Sequence, residues 1–238
     1  MGTTPAVDYP DGVTRGLRTR GSELALLGLV LAACGGSSGS SGNGNVTTAP
    51  GAVVSSNGPA ATAAVPAGQF AGPLMISPVR KAPQIVLRDQ NGKLFKLSSL
   101  RGKAVYLTFV YAHCPDVCPL LMQALGAAER TLKDPSSMQI VAVSVDPKGD
   151  TPAAVKSFLA ERELTGKVRW LLGTRAQLKP VWTEYNILAK SVPDTPAIIE
   201  HVSLIYGIDA RGNIRVGYPA SPLKSAWIAH DAPLLAAA

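Results

Sequence analysis

Beyond Pro73 the apolar positions fall into short runs with two distinct periods. Gln84-Ile85-Val86-Leu87-Arg88 and Leu94-Phe95-Lys96-Leu97 flank Gln90-Asn91-Gly92, which predicts a β-hairpin. The continuous run Ala104-Val105-Tyr106-Leu107-Thr108-Phe109-Val110-Tyr111 reads as a strand buried on both faces. A helical pattern from Leu120 through Leu125 to Leu132 follows it, and Met138–Val145 reads as a second buried strand, ended by Asp146-Pro147. Thr151 and Pro152 have the side chains of an N-cap and a first helical residue, so a helix should run from there to about Glu163. A short strand is expected over Val168–Leu172, and a helix capped by Thr174 from Arg175 to about Tyr185. Val202–Ile208 and Ile214–Tyr218 flank Asp209-Ala210-Arg211-Gly212-Asn213 as a second hairpin, and Pro222 opens a last helix. Strands alternating with helices predict a three-layer α/β sandwich with an N-terminal β-hairpin extension.

Before residue 71 the pattern is different. Leu24–Ala33 is a run of ten apolar residues behind Arg15, Arg18 and Arg20. It is too short for a permanent bilayer span and has the order of a signal peptide. It ends Leu31-Ala32-Ala33-Cys34-Gly35, which resembles the bacterial lipobox, where cleavage precedes the cysteine and the cysteine is lipidated. Residues 1–33 are therefore expected to be a lipoprotein signal peptide, and Cys34 a lipidation site. Residues 34–70 hold Gly, Ser, Ala and Pro without periodicity and read as a disordered tether. Its 36 residues after Cys34 would reach on the order of 30 Å. The folded domain is assigned to 71–238. These boundaries place the domain on the extracytoplasmic face of a bacterial membrane.

Charge follows the same division. Arg15, Arg18 and Arg20 cancel Asp8, Asp11 and Glu23, and residues 34–70 have no charged side chain, so the whole excess of +7 belongs to 71–238. That excess suits acidic protein surfaces or anionic headgroups. No cluster of Lys and Arg with interleaved aromatics is present, so nucleic acid is not an expected partner.

The candidate chemistry lies in Cys114-Pro115-Asp116-Val117-Cys118-Pro119, between the first buried strand and its helix. Thiols four positions apart at a helix start fall on one face. They can close a disulfide or point at one metal ion. The positive end of the helix should lower the pKa of at least the first thiol, and thiolate is the form that does either chemistry. A purely structural bridge is a poor explanation, because so short a loop gains little stability from closure.

Phe109-Val110-Tyr111-Ala112-His113-Cys114-Pro115-Asp116-Val117-Cys118-Pro119, then Ser144-Val145-Asp146-Pro147 with Asp150-Thr151-Pro152, then His201 ahead of Ser203-Leu204-Ile205-Tyr206-Gly207-Ile208-Asp209, resemble the Sco/SenC family. The likeness covers most of residues 75–230. The resemblance implies a thioredoxin-like fold and one copper ion held by Cys114, Cys118 and His201. It implies a copper chaperone that serves the copper A centre of cytochrome c oxidase subunit II. Two thiolates and an imidazole accommodate Cu(I) and Cu(II), whereas structural zinc normally takes four protein ligands. This chain departs from the family pattern in a short Lys190–Pro196 loop and in a lipid anchor where many members have a spanning helix.

Asp146, at the C-terminal edge of a strand, is either a turn former before Pro147 or a group that supports the ligands from behind. Asp116 reads as an acid favoured by the helix dipole. His113 should point away from the thiols, His230 should lie at the surface, and Trp170, Trp182 and Trp227 should pack. The rival function is an extracytoplasmic thiol–disulfide oxidoreductase, with Cys114 and Cys118 as its redox pair, acting on client cysteines without carrying copper. Peroxide reduction fits less well, because no Thr and Arg are placed around the thiols.

Overall fold

Seven consecutive buried residues make β4 (Ala104–Val110) the axis of the molecule. The computed structural model describes residues 65–187, 189–192, 195–200 and 203–238. Around β4 run β1 (Leu74–Lys81), β2 (Val86–Asp89), β3 (Leu94–Lys96), β5 (Met138–Ser144), β6 (Val168–Leu172), β9 (Leu204–Ile208) and β10 (Asn213–Pro219). They form one eight-stranded sheet in the order β1-β10-β9-β4-β5-β6-β2-β3. The strands β4, β5 and β6 are parallel, and β9 and β2 flank them antiparallel. A separate pair, β7 (Lys190–Val192) and β8 (Thr195–Glu200), lies outside that sheet.

The helices are α1 (Val117–Thr131), α2 (Pro152–Ala160), α3 (Arg175–Glu184) and α4 (Ser225–Ala237). Strand parity shows which face each covers. The Tyr106 hydroxyl donates to the Ile228 carbonyl of α4 at 2.7 Å, while Phe109, of opposite parity, packs on Tyr185 at the end of α3 with ring centroids 5.4 Å apart. The two helices therefore lie on opposite faces, and α1 packs beside α4. This is the expected three-layer α/β sandwich. The caps read from sequence are present. Thr151 accepts from the Ala154 N–H at 3.2 Å, and Thr174 forms a reciprocal capping box with Gln177.

The expected N-terminal hairpin is present as β2 and β3: Arg88 and Asp89 pair with Leu172 and Leu171, so it extends the far edge of the main sheet. Three differences from the sequence reading stand out. The exposed edge strand β1 and the small pair β7–β8 were not expected. The last helix starts at Ser225, three residues after Pro222. Cys114 precedes α1, in which Cys118 is the second residue, so the thiols meet across a helix boundary and not along a helical face.

A buried carboxylate fastens the start of the domain. Asp231 of α4 accepts from the backbone of Ala71 at 2.7 Å and Gly72 at 2.9 Å, and from the Tyr218 hydroxyl at 2.7 Å. Among the described residues no helix is long and apolar enough to cross a membrane. The segments expected to be a signal peptide and a tether, with Cys34, lie almost entirely outside the described residues.

Candidate metal centre

The end of β4 runs straight into the thiol loop. Two contacts shape it. The Asp150 carboxylate accepts from the Ala112 N–H at 2.7 Å, and the Cys114 N–H donates to the Tyr111 carbonyl at 3.3 Å. Cys114 is thereby set, half-buried, before the first turn of α1, and Cys118 lies fully buried within it. The Cys118 N–H donates to the Cys114 sulfur at 3.4 Å. Both thiols are free.

The two sulfurs differ sharply in their tendency to ionise. A hydrogen bond from the Cys118 thiol, helped by the backbone N–H groups of Asp116 and Cys118 and the Tyr111 side chain, pulls Cys114 down to about 5. Burial opposes this but does not win. Cys118 moves the other way, because its proton is held toward Cys114 and its site is dry. Cys114 is thus a ready thiolate with a thiol donor beside it. The N-cap residue Asp116 contributes its N–H and no side-chain cap bond, so its carboxylate does not serve the helix as a cap.

Asp146 makes a turn. Its Oδ1 accepts from the N–H groups of Lys148 at 3.2 Å and Gly149 at 3.0 Å, and its own N–H donates to Ser144 Oγ at 3.2 Å. A Cβ on Gly149 would collide with the Asp146 carboxylate and lie 3.3 Å from His113 Nδ1. The His113 ring therefore reaches over this turn. No described hydrogen bond joins Asp146 to either sulfur. Trp170 and Trp182 are buried, and Trp227 is half-buried under Lys224. His230 is 36% exposed and sits 2.8 Å from Asp231.

The sequence reading missed two residues. Asp150 is only 6% exposed, its Oδ2 is buried without a hydrogen-bond partner, and burial raises its carboxyl to about 6. Its charge also discourages ionisation of Cys118. The buried Tyr111 places its side chain against Cys114. Asp150 had a visible signal, standing directly before the N-cap at the mouth of the central strands. Tyr111, like Asp150, stands in a segment that carries the family resemblance, but nothing in the sequence marks its side chain as a partner of Cys114.

Grooves of about 590 and 410 Å³ share Pro147 and Thr174 at this edge of the sheet, and no cysteine lines either. Among the described residues no group of three His, Cys, Asp or Glu side chains could hold a metal ion. The described part supplies two sulfurs, and His201 lies outside it.

The SCO1/SenC family model matches residues 77–231. The chain belongs to the SCO1/SenC family. Cys114 and Cys118 fall within the matched residues, at the junction of β4 and α1. Among curated relatives, the SCO2-like protein RC0895 of Rickettsia conorii is 31% identical over 131 residues, covering 53% of this chain and 63% of the relative. The mitochondrial protein SCO2 of Saccharomyces cerevisiae is 33% identical over 132 residues, covering 53% of this chain and 43% of the relative. The chain thus spans less than two thirds of the length of these SCO relatives. Copper-bound ScoI of Bradyrhizobium japonicum is 32% identical, with a TM-score of 0.53 over 63% of this chain and 96% of that one. Apo Sco1 of Thermus thermophilus, 22% identical, matches the fold with a TM-score of 0.60 over 71% of this chain and 98% of that one. The thioredoxin-like architecture of Sco proteins is therefore the fold of this SCO1/SenC domain.

Proposed function

We propose that this SCO1/SenC protein binds copper and serves the assembly of cytochrome c oxidase, with Cys114, Cys118 and His201 as ligands to one ion. The client is the copper A centre of subunit II, and the protein works at the extracytoplasmic membrane face, anchored through lipid on Cys34. Family membership and the copper-bound ScoI relative support the reading. The observation that carries it is the pairing of an ionised Cys114 with Cys118 at the mouth of α1. Copper is cargo here. Two sulfurs and one imidazole leave a coordination position open, and an open position lets a competing ligand take the ion. Loading must expel the Cys118 proton, so binding should weaken as pH falls.

The test is a titration of the reduced chain with Cu(I) and Cu(II), read by absorption and spin resonance. One copper per chain is expected, and Cys114→Ala, Cys118→Ala and His201→Ala should each lose tight binding. Binding of Cu(I) at parental affinity by all three variants rejects the assignment.

The same Cys114 thiolate favours a second reading, thiol–disulfide exchange with client cysteines. That activity needs both cysteines and tolerates His201→Ala, so turnover on a disulfide substrate separates the two.

A further inference from the structure

A cluster of basic side chains lies at one end of the domain. Lys81 closes β1, and its Nζ donates to the Arg211 carbonyl at 3.4 Å. Arg211 and Gly212 turn β9 into β10, and the Arg101 guanidinium lies against Gly212 where a Cβ would otherwise sit. The Gly102 N–H donates to the Ala210 carbonyl and the Ala82 N–H to the Gly212 carbonyl, both at 3.0 Å, so three connections are stitched together. Arg80, Lys81, Arg101 and Arg211 are exposed there, with Lys103 half-buried beside them. Two acids lie close. Asp209 is 2% exposed and engaged by Asn213 and Arg215. Asp134 is exposed near Lys103 and follows the exposed Lys133. The accessible charge is therefore strongly positive.

This end is opposite the thiols. Lys103 leads into β4, and the register Val105↔Ile208, Ile208↔Ile214 and Asn213↔Lys81 carries the same level across four strands. Cys114 and Cys118 follow the other end of β4. We propose that the basic end is a membrane-facing surface that takes anionic phospholipid headgroups and holds the cysteine end toward the aqueous side. Each cation close to an anionic surface strengthens adsorption about fivefold. Val79, 52% exposed directly before Arg80 and Lys81, adds an apolar contact at the headgroup level. Seven residues of β4 at ~3.3 Å each put the strand end that leads to the sulfurs about 23 Å from that surface. The inference goes beyond the lipid anchor at Cys34 and stands without it.

The domain of residues 65–238, which lacks both Cys34 and the Arg-led apolar run before it, is sedimented with vesicles of phosphatidylglycerol and phosphatidylcholine or of phosphatidylcholine alone. Binding is expected on the anionic vesicles only, and it should fall steeply between 50 and 300 mM salt, as about one Debye length of screening requires. Lys81→Gln/Arg101→Gln/Arg211→Gln should lower it about a hundredfold. Lys93→Gln/Lys156→Gln/Lys179→Gln, with the same loss of charge elsewhere, should lower it less than tenfold. Should the first triple variant misfold, Arg80→Gln/Lys81→Gln carries the test, with about a 25-fold loss expected. Equal losses in the two triple variants overturn the proposal. So does parental binding to poly-glutamate without binding to vesicles, which would assign the surface to an acidic protein. Whether Cys34 is acylated in cells is read separately by mass spectrometry, so the anchor and the surface fail independently.

Discussion

Single side chains at the β4–α1 junction set the reactivity of the pair. Because the Cys114 thiol is pulled down to about 5, its alkylation by iodoacetamide should stay near its plateau down to about pH 6 and fall to half at about pH 5, whereas an ordinary thiol is at half its plateau at about pH 8.5. Cys118 should remain unmodified throughout this range while the chain is folded. A Cys114 profile with its midpoint above pH 8 would remove the thiolate from the account. Asp150 works in the opposite sense. Its folded pKa of about 6 lies above the unfolded value, so the neutral form is the favoured one. Its contribution is favourable at low pH and is lost as pH rises through 6. Asp150→Asn keeps an acceptor for Ala112 and removes the buried charge. It should stabilise the protein by about 2 kcal/mol at pH 8 and by almost nothing at pH 4. Thermal unfolding at the two pH values checks this, and an equal shift at both would exclude a titrating origin.

At the scale of elements, what the sequence revealed depended on whether local chemistry or a distant partner decides the structure. β4 and β5 were legible because burial on both faces writes a continuous apolar run. The α2 and α3 starts were legible because Thr151 and Thr174 cap through their own side chains. Replacing Thr151 with Ala should cost about 1 kcal/mol, measured by urea denaturation. β1 escaped notice because it is an exposed edge with Ser77-Pro78 inside it, and its pairing with β10 joins residues more than a hundred positions apart. The cysteine segment was legible as a site, and its asymmetry was not. The roles of Tyr111 and Asp150 come from the fold, which brings Asp150 to Ala112 across 38 positions.

For the molecule as a whole, the domain is fastened at its ends. Asp231 ties Ala71 and Gly72 to α4, so the first residues before β1 are structural. A chain trimmed to 65–238 should unfold at the same temperature as the full protein. One trimmed to 74–238 leaves the buried carboxylate short of two donors and should lose on the order of 2 kcal/mol. Equal midpoints for the two truncations would show that the clamp contributes nothing.

Among the described residues the sheet also has two unpaired borders, and both are poor templates. β3 is three residues long, between Lys93 and Lys96, and β1 breaks register between Met75 and Arg80 and includes Pro78, which offers no N–H. Each offers only a short or broken ladder to a neighbouring copy. Copies packed side by side at high density should therefore remain separate particles, resisting the fibrous growth to which open sheets are prone.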